Sequence, residues 1–109
     1  MTASVTAADF KRTVLETDRP ALVDFHADWC GPCRAQGLVV DQIASERGDA
    51  AVVVDVDVDA EPTLAELFEI RSIPTLLVFN RGKIVRRFTG LTTKAALLGA
   101  LDETSMAHA

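Results

Sequence analysis

The chain has 109 residues, of which 49% are hydrophobic and 25% charged, so it suits one folded domain over residues 1–109 and excludes a disordered protein. A domain this size buries roughly two thirds of its unfolded surface, so no metal or disulfide framework is needed for folding. The net charge of −5, from 11 Lys and Arg against 16 Asp and Glu, argues against nucleic acid or an anionic bilayer as a partner.

Met1 to Ala8 shows neither a basic segment nor a long apolar run, so no secretory signal is visible. No stretch approaches the roughly 20 apolar residues of a membrane helix. The expectation is a cytoplasmic protein, in a compartment where thiols are kept reduced.

Ala3 to Val5 reads as a short edge strand. Thr6 caps a short helix, with Asp9 in capping-box position and Phe10 and Val14 on one face. After Arg19-Pro20, Ala21 to His26 is a nearly continuous apolar run, the pattern of a strand buried on both faces. Asp28 to Cys33 opens a longer helix to about Arg47, with Pro32 in its first turn and Gly48 as its stop. Val39, Val40, Ile43 and Ala44 form its buried stripe.

Ala51 to Asp59 alternates: Val52, Val54, Val56 and Val58 line one face, and Val53, Asp55, Asp57 and Asp59 the other. Pro62 starts a short helix with Leu64, Leu67 and Phe68 at helical spacing. Thr75 to Asn80 and Lys83 to Thr89 are strands joined by an Arg81-Gly82 turn. Thr92 or Thr93 caps a last helix carrying Leu97, Leu98 and Leu101, and residues 104–109 read as a frayed tail. The order β-α-β-α-β-α-β-β-α gives a mixed α/β sandwich, parallel in its first half and antiparallel at its hairpin.

Cys30 and Cys33 are the two cysteines, too few for a disulfide scaffold. Cys30 follows a buried strand and starts a helix, where free N–H groups and the helix dipole favour a thiolate and lower its pKa. Cys33 lies one turn further on, and residues three apart on a helix approach within disulfide reach. The pair can therefore cycle between dithiol and disulfide. Half of a zinc site is the competing reading, but beyond the two thiols the chain offers only His26 and His108 as further soft ligands.

The segment Val23-Asp24-Phe25-His26-Ala27-Asp28-Trp29-Cys30-Gly31-Pro32-Cys33-Arg34 resembles the active-site region of the thioredoxin family. Arg71-Ser72-Ile73-Pro74-Thr75 resembles its proline loop, Asn80-Arg81-Gly82-Lys83 its hairpin, and Thr89-Gly90-Leu91 its glycine loop. The resemblance runs from about Val5 to Leu101. It implies a thioredoxin fold, a mixed sheet flanked by about four helices, and a reductase of protein disulfides.

Cys30 would be the nucleophile and Cys33 the resolving thiol, with Gly31 and Pro32 tuning the redox pair. The resemblance further implies Asp24 as the buried acceptor of the Cys33 proton, a role that desolvation in an apolar strand suits by raising its pKa. It implies a cis Ile73–Pro74 bond and a docking surface made by Trp29, Ile73, Pro74, Gly90 and Leu91. No cofactor beyond the cysteine pair is implied; electrons would come from a separate thioredoxin reductase, substrates would be disulfide-containing proteins, and the chain would act as a monomer. Alternatives are a disulfide oxidase or isomerase on the same fold, or a non-catalytic binding subunit.

Three positions depart from the family pattern. Asp55 stands where a lysine is usual, so a repulsion with Asp24 is expected to push one pKa up and move proton transfer from Cys33 to higher pH. The alternative is that Asp55 simply turns to solvent. His26 stands where tryptophan is common, either titrating beside the thiols or merely packing. Leu38 replaces a helix-kinking proline, which implies a straighter helix, although Gly37 could still permit a bend. The acidic run Asp55, Asp57 and Asp59 reads as a solvated strand end rather than a docking patch for basic partners.

Overall fold

A computed structural model describes residues 2–107. The elements follow the expected order: β1 (Ala3–Ser4), α1 (Ala7–Phe10), β2 (Ala21–His26), α2 (Gly31–Arg47), β3 (Val52–Asp57), α3 (Pro62–Leu67), β4 (Thr75–Asn80), β5 (Lys83–Thr89) and α4 (Lys94–Ala107). One π-helical turn, Lys11–Leu15, prolongs α1. The strands form one sheet in the order β1-β3-β2-β4-β5. β1 and β2 run parallel to β3, whereas β4 is antiparallel to both β2 and β5.

Strand parity divides the core into two layers. Ala21, Val23 and Phe25 of β2 join Val52, Val54 and Val56 of β3 and face Phe10, Val14 and Leu64, beneath α1 and α3. Phe10, Phe25, Phe68 and Phe79 meet there at centroid separations of 5.3 to 6.1 Å, each such pair adding about 0.5–1.5 kcal/mol beyond area burial. On the other face Leu22, Leu76 and Val78 pack against Val40 and Ile43 of α2 and Leu97, Ala100 and Leu101 of α4. Asp24 and His26 share the parity of Leu22, so they lie on the side of the sheet that α2 covers. This parity puts a carboxylate behind the cysteines.

Gly48 ends α2 with φ of 51°, in the left-handed region where a Cβ is costly. In the β4–β5 turn Arg81 and Gly82 both have positive φ, 50° and 83°, as a two-residue hairpin requires. Gly82 has a second reason to lack a side chain, because a Cβ would lie 2.9 Å from the Leu15 carbonyl oxygen.

Several expectations change. The buried stripe of α2 is Cys33, Gln36, Val40 and Ile43, with Val39 and Ala44 half-buried, because the helix turns its start as well as its middle toward the sheet. Leu67 is exposed; α3 ends there, and Phe68 folds into the aromatic cluster instead. Residues 104–107 are no tail but the last turn of α4: Thr104 is buried and its hydroxyl donates to the Ala100 carbonyl at 2.8 Å. The last two residues of the expected tail, and with them His108 of the zinc alternative, lie outside the described residues. Leu38 is exposed, and α2 runs through it as one continuous helix.

Candidate active site

β2 ends at His26, and a short turn carries Trp29 and Cys30 to the start of α2. Cys30 is the N-cap of that helix, and the Cys33 amide donates to Cys30 Sγ at 3.2 Å. An amide directed at the sulfur, together with the positive end of a 17-residue helix, favours a thiolate on Cys30 when the pair is reduced. Pro32 occupies the first turn, where its missing N–H leaves no helical bond unmade. Cys30 and Cys33 are joined in a disulfide with their Cα atoms 5.2 Å apart. The zinc alternative would need these thiols as ligands, and among the described residues no group of three or more His, Cys, Asp or Glu is placed to hold a metal.

Behind Cys33 lies a pocket of about 180 Å³, bordered by Thr2 next to β1. Asp24, His26 and Asp55 line its sheet wall, and Cys33, Gly37 and Asp41 its helix wall. Asp24 is only 2% exposed, and its Oδ1 has no hydrogen-bond partner among the described residues. Burial pushes its pKa up to about 7; His26 opposes the rise, and Asp55 and Asp41 add to it. Asp55 neither turns to solvent nor stands bare beside Asp24. Its Oδ1 meets His26 Nε2 at 3.0 Å and accepts the Ser4 hydroxyl at 2.6 Å.

In front of the cysteines Ile73–Pro74 is a cis peptide, and the Ile73 carbonyl oxygen lies 3.9 Å from Cys30 Sγ. The Gly90 amide donates to the Pro74 carbonyl at 2.8 Å, which brings the Gly90-Leu91 loop beside the proline. Trp29 is a surface residue, 69% exposed. Its indole borders a groove with Val58, Ile70, Arg71, Ser72 and Ile73. Gly31 and Pro32, between the two cysteines, are also exposed, as is Leu91 of the glycine loop.

A family model described as Thioredoxin matches residues 1–103. Over 101 residues the chain is 48% identical to Thioredoxin 1 of Synechococcus elongatus, covering 93% of this chain and 94% of that one. Thioredoxin of Mycolicibacterium smegmatis is 46% identical over 104 residues, with 94% and 93% covered. The chain belongs to the thioredoxin family. A bifunctional thioredoxin reductase/thioredoxin of Mycobacterium leprae is 44% identical over 103 residues, covering 94% of this chain and 22% of that one. As a thioredoxin-family protein the chain is a thiol-disulfide oxidoreductase with protein-disulfide reductase activity, and its redox group is the cysteine pair within the chain.

Three of the thioredoxin-like segments read from the sequence meet here: Asp24 shares a pocket with Cys33, the Ile73 carbonyl approaches Cys30, and the Gly90 amide ties the glycine loop to Pro74. The Arg81-Gly82 hairpin lies at the other end of the sheet, where Phe79 pairs with Ala21. Two residues of the site carried no signal on their own. Gln36, fully buried, donates through Nε2 to the Thr92 carbonyl at 3.1 Å and accepts the Thr92 amide at 2.7 Å. It thereby ties the glycine loop to the active-site helix. Asp59 accepts the Trp29 indole N–H at 2.8 Å, fixing the ring over the groove. The acidic run is solvated only in part: Asp59 is exposed just past the end of β3, Asp55 and Asp57 are half-buried, and all three are hydrogen-bonded. Asp55 binds His26, Asp57 accepts the amides of Asp59 and Ala60, and Asp59 holds Trp29.

Proposed function

We propose that Cys30 attacks a disulfide in a protein substrate and that Cys33 resolves the product. In the first step the Cys30 thiolate forms a bond to one substrate sulfur, and the other substrate sulfur leaves as a thiolate. Cys33 then gives its proton to Asp24 and attacks Cys30, so that the Cys30–Cys33 bond forms and the second substrate thiolate departs. The substrate gains two electrons and the cysteine pair loses them. The observation that carries this reading is the vertical order of the three groups: Cys30 capping the helix, Cys33 one turn below it, and Asp24 in the same pocket as Cys33.

Gly31 and Pro32 set the spacing of the redox pair. An extended substrate segment lies along Trp29, Ile73, Pro74, Gly90 and Leu91, with the Ile73 backbone as its hydrogen-bonding partner. A separate flavoprotein, thioredoxin reductase, returns the electrons; the relative that carries both names in one chain supports this source. The chain works as a monomer in the cytoplasm. Its charge of −5 supports protein substrates over nucleic acid, and among the described residues no helix is long and apolar enough to cross a membrane.

The test is the reduction potential of the Cys30–Cys33 pair, measured in defined thiol–disulfide buffers. A value at or below about −260 mV is expected for a reductant, whereas one above about −200 mV would replace this reading with an oxidase or isomerase.

A further inference from the structure

We infer that His26, clamped by Asp55, is the counter-charge of Asp24 in the resolving step, its imidazolium offsetting the carboxylates around Asp24 so that Asp24 can accept the Cys33 proton. The inference rests on Asp24 being that acceptor, as proposed above. Within the pocket the charges are one-sided. Asp24 comes from β2, Asp55 from β3 and Asp41 from α2, while Asp57 lies opposite His26 in the strand register. Among the described residues lining the pocket, His26 is the one side chain that can carry a positive charge. Asp41 is already engaged, accepting the Thr2 amide at 2.8 Å and hydroxyl at 2.6 Å.

Geometry fixes the imidazole. A carboxylate only accepts hydrogen bonds, so the 3.0 Å contact between Asp55 Oδ1 and His26 Nε2 requires a proton on Nε2. The Asp55 hydrogen bond raises the His26 pKa above its ordinary value, against the opposing effect of burial; the carboxylates of Asp24 and Asp57 raise it further. His26 in turn is the group that lowers the pKa of Asp24 against burial, Asp55 and Asp41. The proton therefore passes from Cys33 to Asp24, while His26 keeps its own. It acts on the cysteines only through Asp24, as a positioning residue.

The experiment uses the full reduced chain and one equivalent of a disulfide-bridged peptide, acid-quenched in single turnover from pH 5.5 to 9. The decay of the mixed disulfide is the resolving rate, and carbon NMR of the Asp24 carboxyl gives its titration directly. In His26→Gln both the Asp24 midpoint and the rate profile should move up by on the order of one pH unit, roughly a fivefold slower resolution at pH 7. His26→Lys, which keeps a cation, should return both to their wild-type positions.

Unmoved profiles in His26→Gln, or a His26→Lys variant displaced as far as His26→Gln, would overturn the inference. Asp24→Asn separates the two levels. If it resolves slowly while His26→Gln leaves the profile unmoved, only the role of His26 fails. If it resolves at the wild-type rate, the acceptor role of Asp24 fails and this inference with it.

Discussion

Replacing Asp24 with Asn should stabilise the oxidised protein, and the gain should grow with pH. The carboxyl titrates near its ordinary 3.8 in the unfolded chain, and burial pushes it up to about 7 in the fold. Between these values the folded state holds a proton that the unfolded state has released. Stability is therefore fully present below the unfolded value and is lost as pH rises through the folded one. The whole window corresponds to on the order of 4 kcal/mol. Asn carries no charge, so the variant escapes this loss.

Asn also buries an amide among few partners, at a cost of about 1–3 kcal/mol. That cost does not depend on pH, so the informative quantity is the change in the stability difference, not its size at one pH. Guanidinium titrations of both proteins without reductant, at pH 5 and pH 8.5, should show the advantage of Asp24→Asn growing by about 3 kcal/mol. Asp41 titrates in both proteins and cancels to first order. His26, whose pKa the Asp24 carboxylate raises, shifts with the substitution, so its own titration is followed by proton NMR in both proteins and subtracted. A difference that stays flat within about 0.5 kcal/mol would refute the reasoning, because it would mean that Asp24 reaches solvent well enough to ionise at its ordinary pH.

Gln36→Ala should cost about 2–4 kcal/mol, since it removes both hydrogen bonds to Thr92 and strands a backbone amide and carbonyl. Amide exchange at Thr92 should quicken with it; an unchanged exchange rate would show that the loop is held by other contacts. Gly82→Ala should cost about 2–3 kcal/mol, from positive φ and the approach of a Cβ to the Leu15 carbonyl. Gly99→Ala, on an open face of α4, should instead gain about 1 kcal/mol in chemical denaturation, which separates local strain from a general effect of adding a methyl group.

The element order was legible because β2 and β3 announced themselves by their apolar pattern and β4 and β5 by the Arg81-Gly82 turn between them. Ala21 to His26 read as doubly buried and Ala51 to Asp59 as alternating, and β2 and β3 reproduce both patterns. The one-turn spacing of Cys30 and Cys33 followed from helical geometry, whereas the place of Asp24 behind them came from the resemblance to the thioredoxin family. Local pattern says nothing about partners that meet through the fold. Trp29 and Asp59 are 30 residues apart, and Gln36 and Thr92 are 56 apart. Periodicity over a helix or strand constrains neither pairing. Leu67 failed for a related reason: helical spacing put it on the face of Leu64, but a helix of 6 residues ends before that face continues.

The departures at positions 26 and 55 illustrate what single-position reading misses. Taken alone, an acidic Asp55 next to the buried Asp24 in the strand register predicts repulsion, and a histidine at 26 predicts little. In the fold the two side chains are one unit, joined at 3.0 Å on the wall of the pocket that holds Asp24 and Cys33. The added anion raises the pKa of His26, and His26 then opposes the effect of that same anion on Asp24. Reverting only Asp55 to a lysine would place two cations beside each other and leave His26 without its acceptor. Its effect on the resolving step cannot be read as the removal of one repulsion, and the variant has to be compared with a double change that also neutralises His26.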